Sequence, residues 1–192
     1  MSKALFIVDV QNDFTEDGAL AVTGGDAVAE RITRYLAAHA GDYALIVASR
    51  DWHDADNDNG GHFHPQPDFV VTWPVHCVGG TEGAEYDPGL DTGSVTHHVK
   101  KGQGRPAYSL FEGTTDDGAT IAHLLEAHGV IDVDVTGLAT DYCVRASALD
   151  AIEHGRHVRV FTDLVAGVAA ESSDAALAEL AHAGAELAGS GV

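Results

Sequence analysis

The sequence predicts a three-layer α/β/α fold around a mainly parallel central sheet. Three observations carry that expectation. Apolar runs rich in β-branched residues recur along the chain, segments with apolar residues at three- and four-residue spacing separate them, and most of the runs are near-continuous rather than alternating. A strand that is apolar on both sides is covered on both sides, which is the condition of a parallel sheet between two helical layers.

The first run, 3–10 (KALFIVDV), reads as a strand, and 26–40 (DAVAERITRYLAAHA) as the helix after it. Further strands are expected at 42–49 (DYALIVAS), 95–101 (VTHHVKK), 131–138 (IDVDVTGL) and 157–164 (HVRVFTDL), with a weaker one in the AELAGS segment near the end. Helices are expected over 119–129, 141–155 and 172–184, each closing near a glycine. The stretch from about 51 to 94, rich in Gly, Pro, His and Asp, has neither period. It leaves the sheet at the carboxyl end of a strand, the rim where such sheets bind ligands, so it reads as an excursion belonging to a site.

A chain of 192 residues with 45% hydrophobic residues, 22 Gly and 5 Pro suits one globular domain spanning 1–192. Ten Lys and Arg against 30 Asp and Glu give a formal charge of −20, which repels nucleic acid and anionic membrane surfaces and leaves a small neutral substrate as the expected partner. No stretch approaches the roughly 18 apolar residues of a membrane span. The apolar N-terminal run leads into Gln11-Asn12-Asp13 rather than a cleavage signal, so a cytoplasmic protein is expected, with Cys77 and Cys143 as free thiols. Composition does not decide between a monomer and a homo-oligomer.

Candidate chemistry gathers at the expected strand ends. Cys143, in GLATDYCVRASALDA, stands at the head of a helix, where unpaired N–H groups favour a thiolate and offer donors to an oxyanion; a buried free cysteine is also a common space-filler. Cys77, in the Pro-containing segment WPVHC, reads as filler. Asp9 puts a carboxylate at the end of an apolar strand, where it needs a cation or a proton, while Asp13 reads as a turn contact. Lys101, before Gly102, can supply the cation, and Lys100 points to the other face. Asp51, His53, His62 and His76 form a carboxylate and imidazole set suited to a divalent metal, with His64, His97 and His98 as spare histidines.

Taken in order, IVDVQNDF, the SRDWH…HF…WPVHC excursion, KG with YSLFEG after it, and GLATDYCVRASALDA resemble the nicotinamidases, the metal-dependent branch of the isochorismatase-like cysteine hydrolases. The resemblance runs from residue 4 to about 170. It implies the isochorismatase-like hydrolase fold and hydrolysis of nicotinamide to nicotinate and ammonia through a cysteine thioester, in NAD salvage, with pyrazinamide as a further substrate. It implies Asp9, Lys101 and Cys143 as the catalytic triad, and Asp51, His53, His62 and His76 as ligands of one divalent metal ion, zinc first, with iron or manganese as alternatives. It implies Phe14 and Trp73 around the pyridine ring with Tyr108 nearby, and a cis bond between Leu138 and Ala139 that turns the Ala139 N–H toward the site, beside that of Cys143, as an oxyanion hole. His64, two residues after His62, competes with it for the metal on sequence alone.

Overall fold

The computed structural model describes residues 2–192. Its sheet contains β1 (Ser2–Val8), β2 (Leu45–Asp51), β3 (His97–Lys101), β4 (Thr114–Thr115), β5 (Val130–Leu138), β6 (His157–Ala166) and β7 (Glu186–Ala188). The spatial order is β4-β3-β2-β1-β5-β6-β7. Every pairing is parallel except that of β4 with β3. The expected strands are all present. The two-residue β4 was not foreseen, because so short a segment carries no periodicity. Two ends also differ by a residue or two: β1 stops at Val8, before Asp9, and β2 runs on to include Asp51.

Side chains of β1 alternate between two cores. Ala4, Phe6 and Val8 join a cluster with α2 (Ile121–Ala127) and α3 (Arg145–Glu153), whereas Leu5 and Ile7 face α1 (Gly25–His39). The buried residues of α1 include Val28, Ala29, Ile32 and Leu36, a one-sided stripe, and burying each large one stabilises the fold by about 1.5–3 kcal/mol. The last helix, α4 (Ala170–Ala183), ends on Gly184 in the left-handed conformation. Among the described residues no helix is long and apolar enough to cross a membrane.

The chain fills one half of the sheet outward from β1, then returns to add β5, β6 and β7 on the other side. The order therefore reverses at the β1/β5 pair, and a crevice at the carboxyl ends follows from that topology. Gly137 of β5, with φ +109, permits the close approach there: a Cβ would lie 2.1 Å from the Val8 carbonyl oxygen. The 51–94 excursion has no long element. An isolated bridge from Gln11 to Tyr86 ties it to the chain just after β1, and bridges from His53 to Val78 and from Phe63 to Trp73 hold it to itself.

Candidate active site

Four neighbouring strands deliver charge or sulfur to the crevice. Asp9 follows β1, Asp51 ends β2, Lys101 ends β3, and Cys143 sits in a π-helical turn, Thr140–Val144, between β5 and α3. The Lys101 Nζ lies 2.8 Å from Asp9 Oδ2 and 3.5 Å from Cys143 Sγ, and donates to Asp51 Oδ1 and to the Ala107 carbonyl at 3.3 Å. The Cys143 sulfur and one carboxylate oxygen each of Asp9 and Asp51 lie within 4.8 Å of one another. Sequence reasoning paired Lys101 with Asp9 alone; the same ammonium also serves Asp51.

Two buried carboxyl groups around one ammonium cannot have equal environments. For Asp51, burial opposes the charge, but Lys101 and then His53 outweigh it and hold the carboxyl well below the usual range. For Asp9, burial is also the largest influence, Lys101 counteracts it, the Asp51 charge adds to it, and the net effect is upward. Pushing two carboxyl groups apart in this way separates a permanent anion from a group able to take and return a proton. Lys101 stays protonated: burial works against it, but Asp51 and Asp9 raise it well above its ordinary value.

Burial likewise pushes the Cys143 thiol well above its ordinary value, Lys101 opposing and Asp9 adding to the rise. The expectation that a helix terminus would favour a resting thiolate is thus offset by desolvation, and the sulfur needs a base. Asp9 has the free position for it. Its Oδ1 accepts the Ser49 hydroxyl at 2.6 Å, while the buried Oδ2, ion-paired with Lys101, accepts no well-aligned hydrogen bond. The backbone N–H of Asp9, where φ is +47, donates to the same Ser49 oxygen at 3.3 Å.

His53, His62 and His76 are buried, and one nitrogen of each lies within 4.8 Å of the others. Asp51 Oδ2 is 3.7 Å from His53 Nε2 and 3.9 Å from His76 Nε2. The Nδ1 atoms of His53 and His76 pair with the carbonyls of Gly102 and Pro74, both at 2.8 Å, which leaves their Nε2 atoms as acceptors facing the cluster. Burial, together with the charges of His53 and His76, pushes His62 down to about 4, so it is neutral near pH 7. Buried imidazole nitrogens without partners, here His53 Nε2 and His62 Nδ1, carry a desolvation cost that a Lewis acid would remove. One carboxylate and three imidazoles fit a zinc, iron or manganese ion. His64 is exposed and folded onto Gln66, so the spare histidine lies apart from this cluster. The glycine of KG has its reason here: at φ +86, a Cβ on Gly102 would meet the His53 ring at 2.6 Å.

Cys143, Asp51, His62 and His76 open into one cavity of about 280 Å³, whose walls include Phe14, Trp73 and Tyr108. Trp73 Nε1 donates to the Tyr108 hydroxyl at 3.1 Å, and the Tyr142 ring meets Trp73 edge-on at 5.0 Å. The Leu138–Ala139 bond is cis. The Ala139 carbonyl accepts from the N–H groups of Tyr142 and Val144. Cys77 is buried and does not line this cavity; its N–H donates to Asp13 Oδ2 at 2.6 Å, which accounts for Asp13 as a loop contact.

Sequence reasoning missed several neighbours. Gln11 clamps the end of β2, its amide donating to the Asp51 and Ala84 carbonyls and accepting from the Asp51 N–H. Its place directly after the apolar run, as the first polar residue of the loop, was the available signal. Ser49 offered none beyond sitting two residues before Asp51. Phe69 and Val168 line the cavity from loops whose spacing carries no pattern, and Tyr142 lines it from the π-helical turn beside Cys143.

The isochorismatase domain family matches residues 3–191. A nicotinamidase/pyrazinamidase of Mycobacterium tuberculosis (strain ATCC 25618 / H37Rv) is 49% identical over 185 residues, 96% of this chain and 97% of its own length. Two solved structures share the architecture with a TM-score of 0.83. The pyrazinamidase of Pyrococcus horikoshii in complex with zinc is 38% identical, over 98% of this chain and 99% of that one. PnC1 from L. infantum in complex with nicotinate is 35% identical, over 98% and 93%. The seven-stranded, mostly parallel sheet and the matched sequence agree on one conclusion: the chain belongs to the isochorismatase family.

Proposed function

We propose that this amidohydrolase converts nicotinamide to nicotinate and ammonia through a thioester on Cys143, accepts pyrazinamide in the same way, and serves NAD salvage. The observation that carries the reading is the convergence of the Asp9 carboxylate and the Lys101 ammonium on the Cys143 sulfur, which itself lines a cavity whose aromatic walls suit a flat heteroaromatic ring.

Phe14 and Trp73 hold the ring and aim its carboxamide at Cys143. Asp9 takes the thiol proton as sulfur bonds to the amide carbon, and the N–H groups of Ala139 and Cys143 bind the oxyanion. Asp9 returns that proton to the nitrogen, the C–N bond breaks, and ammonia leaves a thioester. Water then attacks the thioester carbon and gives a proton to Asp9; the C–S bond breaks, Asp9 passes that proton to the Cys143 sulfur, and the acid departs, losing its remaining proton to solvent to become nicotinate. Lys101 keeps a positive charge beside both carboxylates throughout. Asp51, His53, His62 and His76 would hold the divalent ion, which when bound supplies a Lewis-acid pole on the cavity wall for a pyridine nitrogen to face.

Ammonia release from nicotinamide tests this directly, with and without chelator and with Cys143→Ala beside the native chain. Turnover by the native protein, lost in Cys143→Ala while the circular dichroism spectrum is unchanged, is expected. No ammonia from nicotinamide, or full turnover in Cys143→Ala, overturns the reading.

A further inference from the structure

The turn that presents Cys143 contains a second buried acid. Asp141 lies two residues after Ala139 and two before Cys143, and the residue is 9% exposed. An aspartate at such a place ordinarily bonds to N–H groups two or three residues ahead of it, the habit that makes Asp a helix cap. Those N–H groups include that of Cys143.

Asp141 is engaged elsewhere. Its Oδ1 accepts the Val168 N–H at 3.0 Å, and its Oδ2 accepts the Ala169 N–H at 3.3 Å and the Ser172 hydroxyl at 2.6 Å. The helix start at Ala170 has no side-chain cap from its own flanking residue, Ala169, and Asp141 instead anchors the two residues that lead into α4, together with the Ser172 side chain of its first turn. The fit leaves no spare room: a Cβ on Gly167 would lie 1.9 Å from the Ser173 hydroxyl and 3.0 Å from Asp141 Oδ1. Val168, held by this carboxylate, reaches the cavity lined by Ala139 and Cys143.

We infer that Asp141 is a positioning residue for acyl transfer: by anchoring the lead-in to α4 it locks the Ala139–Cys143 turn in place, leaves the Cys143 N–H to the oxyanion, and sets Val168 on the cavity wall. The inference rests on the proposed thioester chemistry. Losing the carboxylate frees the turn to shift, and a misplacement of about 1 Å at a reacting centre costs on the order of 10²-fold in rate. Phe14 and Trp73, the two walls that hold the ring, lie outside this turn.

The test compares Asp141→Ala, Asp141→Asn and Ser172→Ala with the native chain for kcat, KM, metal content and Tm. Expected are a kcat loss of about 10²-fold in Asp141→Ala with KM within about threefold, a smaller kcat loss in Asp141→Asn, which keeps one acceptor for Val168, and a smaller one still in Ser172→Ala, with metal content unchanged in all three. A lowered Tm with native kcat and KM in the Asp141 variants, or a rise in KM at constant kcat, overturns the inference. Should Asp141→Ala fail to fold, Asp141→Asn and Ser172→Ala decide by the same split. If the native chain itself releases no ammonia, the nicotinamidase reading has failed and not the role of Asp141 within it.

Discussion

The ammonium of Lys101 stands 2.8 Å from the carboxylate of Asp9, and neither side chain has any exposure to solvent. A buried pair of this kind adds little net stability over a well-packed apolar alternative, but removing one partner strands the other. Here the stranded groups are two, since Lys101 also serves Asp51.

Lys101→Met should therefore cost about 3–5 kcal/mol at pH 7 and abolish turnover. The sign with pH follows from the carboxyl groups. Without the cation both fold with raised values, so their penalty is absent below the unfolded carboxyl range and appears as pH rises through the folded one. Urea unfolding at pH 7 and near pH 4 checks this; a loss equally large at both values would show that packing of the lysine stem, not charge, is what matters.

Ser49→Ala isolates the other contact of Asp9. Hydrogen bonds to charged groups contribute about 1.5–3 kcal/mol, and the Ser49 hydroxyl lowers the Asp9 value that burial has raised. Removing it should move the acid limb of the kcat/KM profile to higher pH while leaving metal content unchanged. A profile that keeps its acid limb would assign that limb to another group.

These contacts also mark the limit of sequence reading. The strands were legible because runs such as ALFIV are apolar on both faces, Asp9 and Lys101 because each stands at the end of an expected strand, and Cys143 because it heads an expected helix. The sharing of Lys101 between two carboxylates was not, because it depends on β3 lying beside β2 in a register that pairs Asp51 with Lys101. Nor was the neutral resting thiol. A helix terminus is visible in a sequence, but the desolvation that outweighs it is a property of the assembled site.

His62 and His64 are two residues apart in sequence and differ entirely in environment. His62 is buried with an unpartnered Nδ1, whereas His64 is exposed and bonded to Gln66. His62→Ala should reduce bound metal by at least about tenfold, in the range seen when a metal site is disturbed, and His64→Ala should leave it unchanged. Elemental analysis after dialysis decides it, and metal loss in the His64 variant would move the site outward.

Chelated protein should lose stability as pH falls between the two values that govern His62. Unfolded, this imidazole titrates near its ordinary 6.5; folded, burial and the neighbouring His53 and His76 hold it at about 4. Between these the unfolded chain binds the proton that the fold refuses, so stability is complete above pH 6.5 and is lost as pH falls through about 4. Asp9, raised by burial, acts with the opposite sign, while Asp51, held low, adds its loss only below the ordinary carboxyl range. Comparing the urea midpoint of the chelated protein at pH 7 and 4.5 with that of His62→Gln separates these contributions. The variant should show a shallower fall, and an identical fall in both would place the sensitivity on other groups.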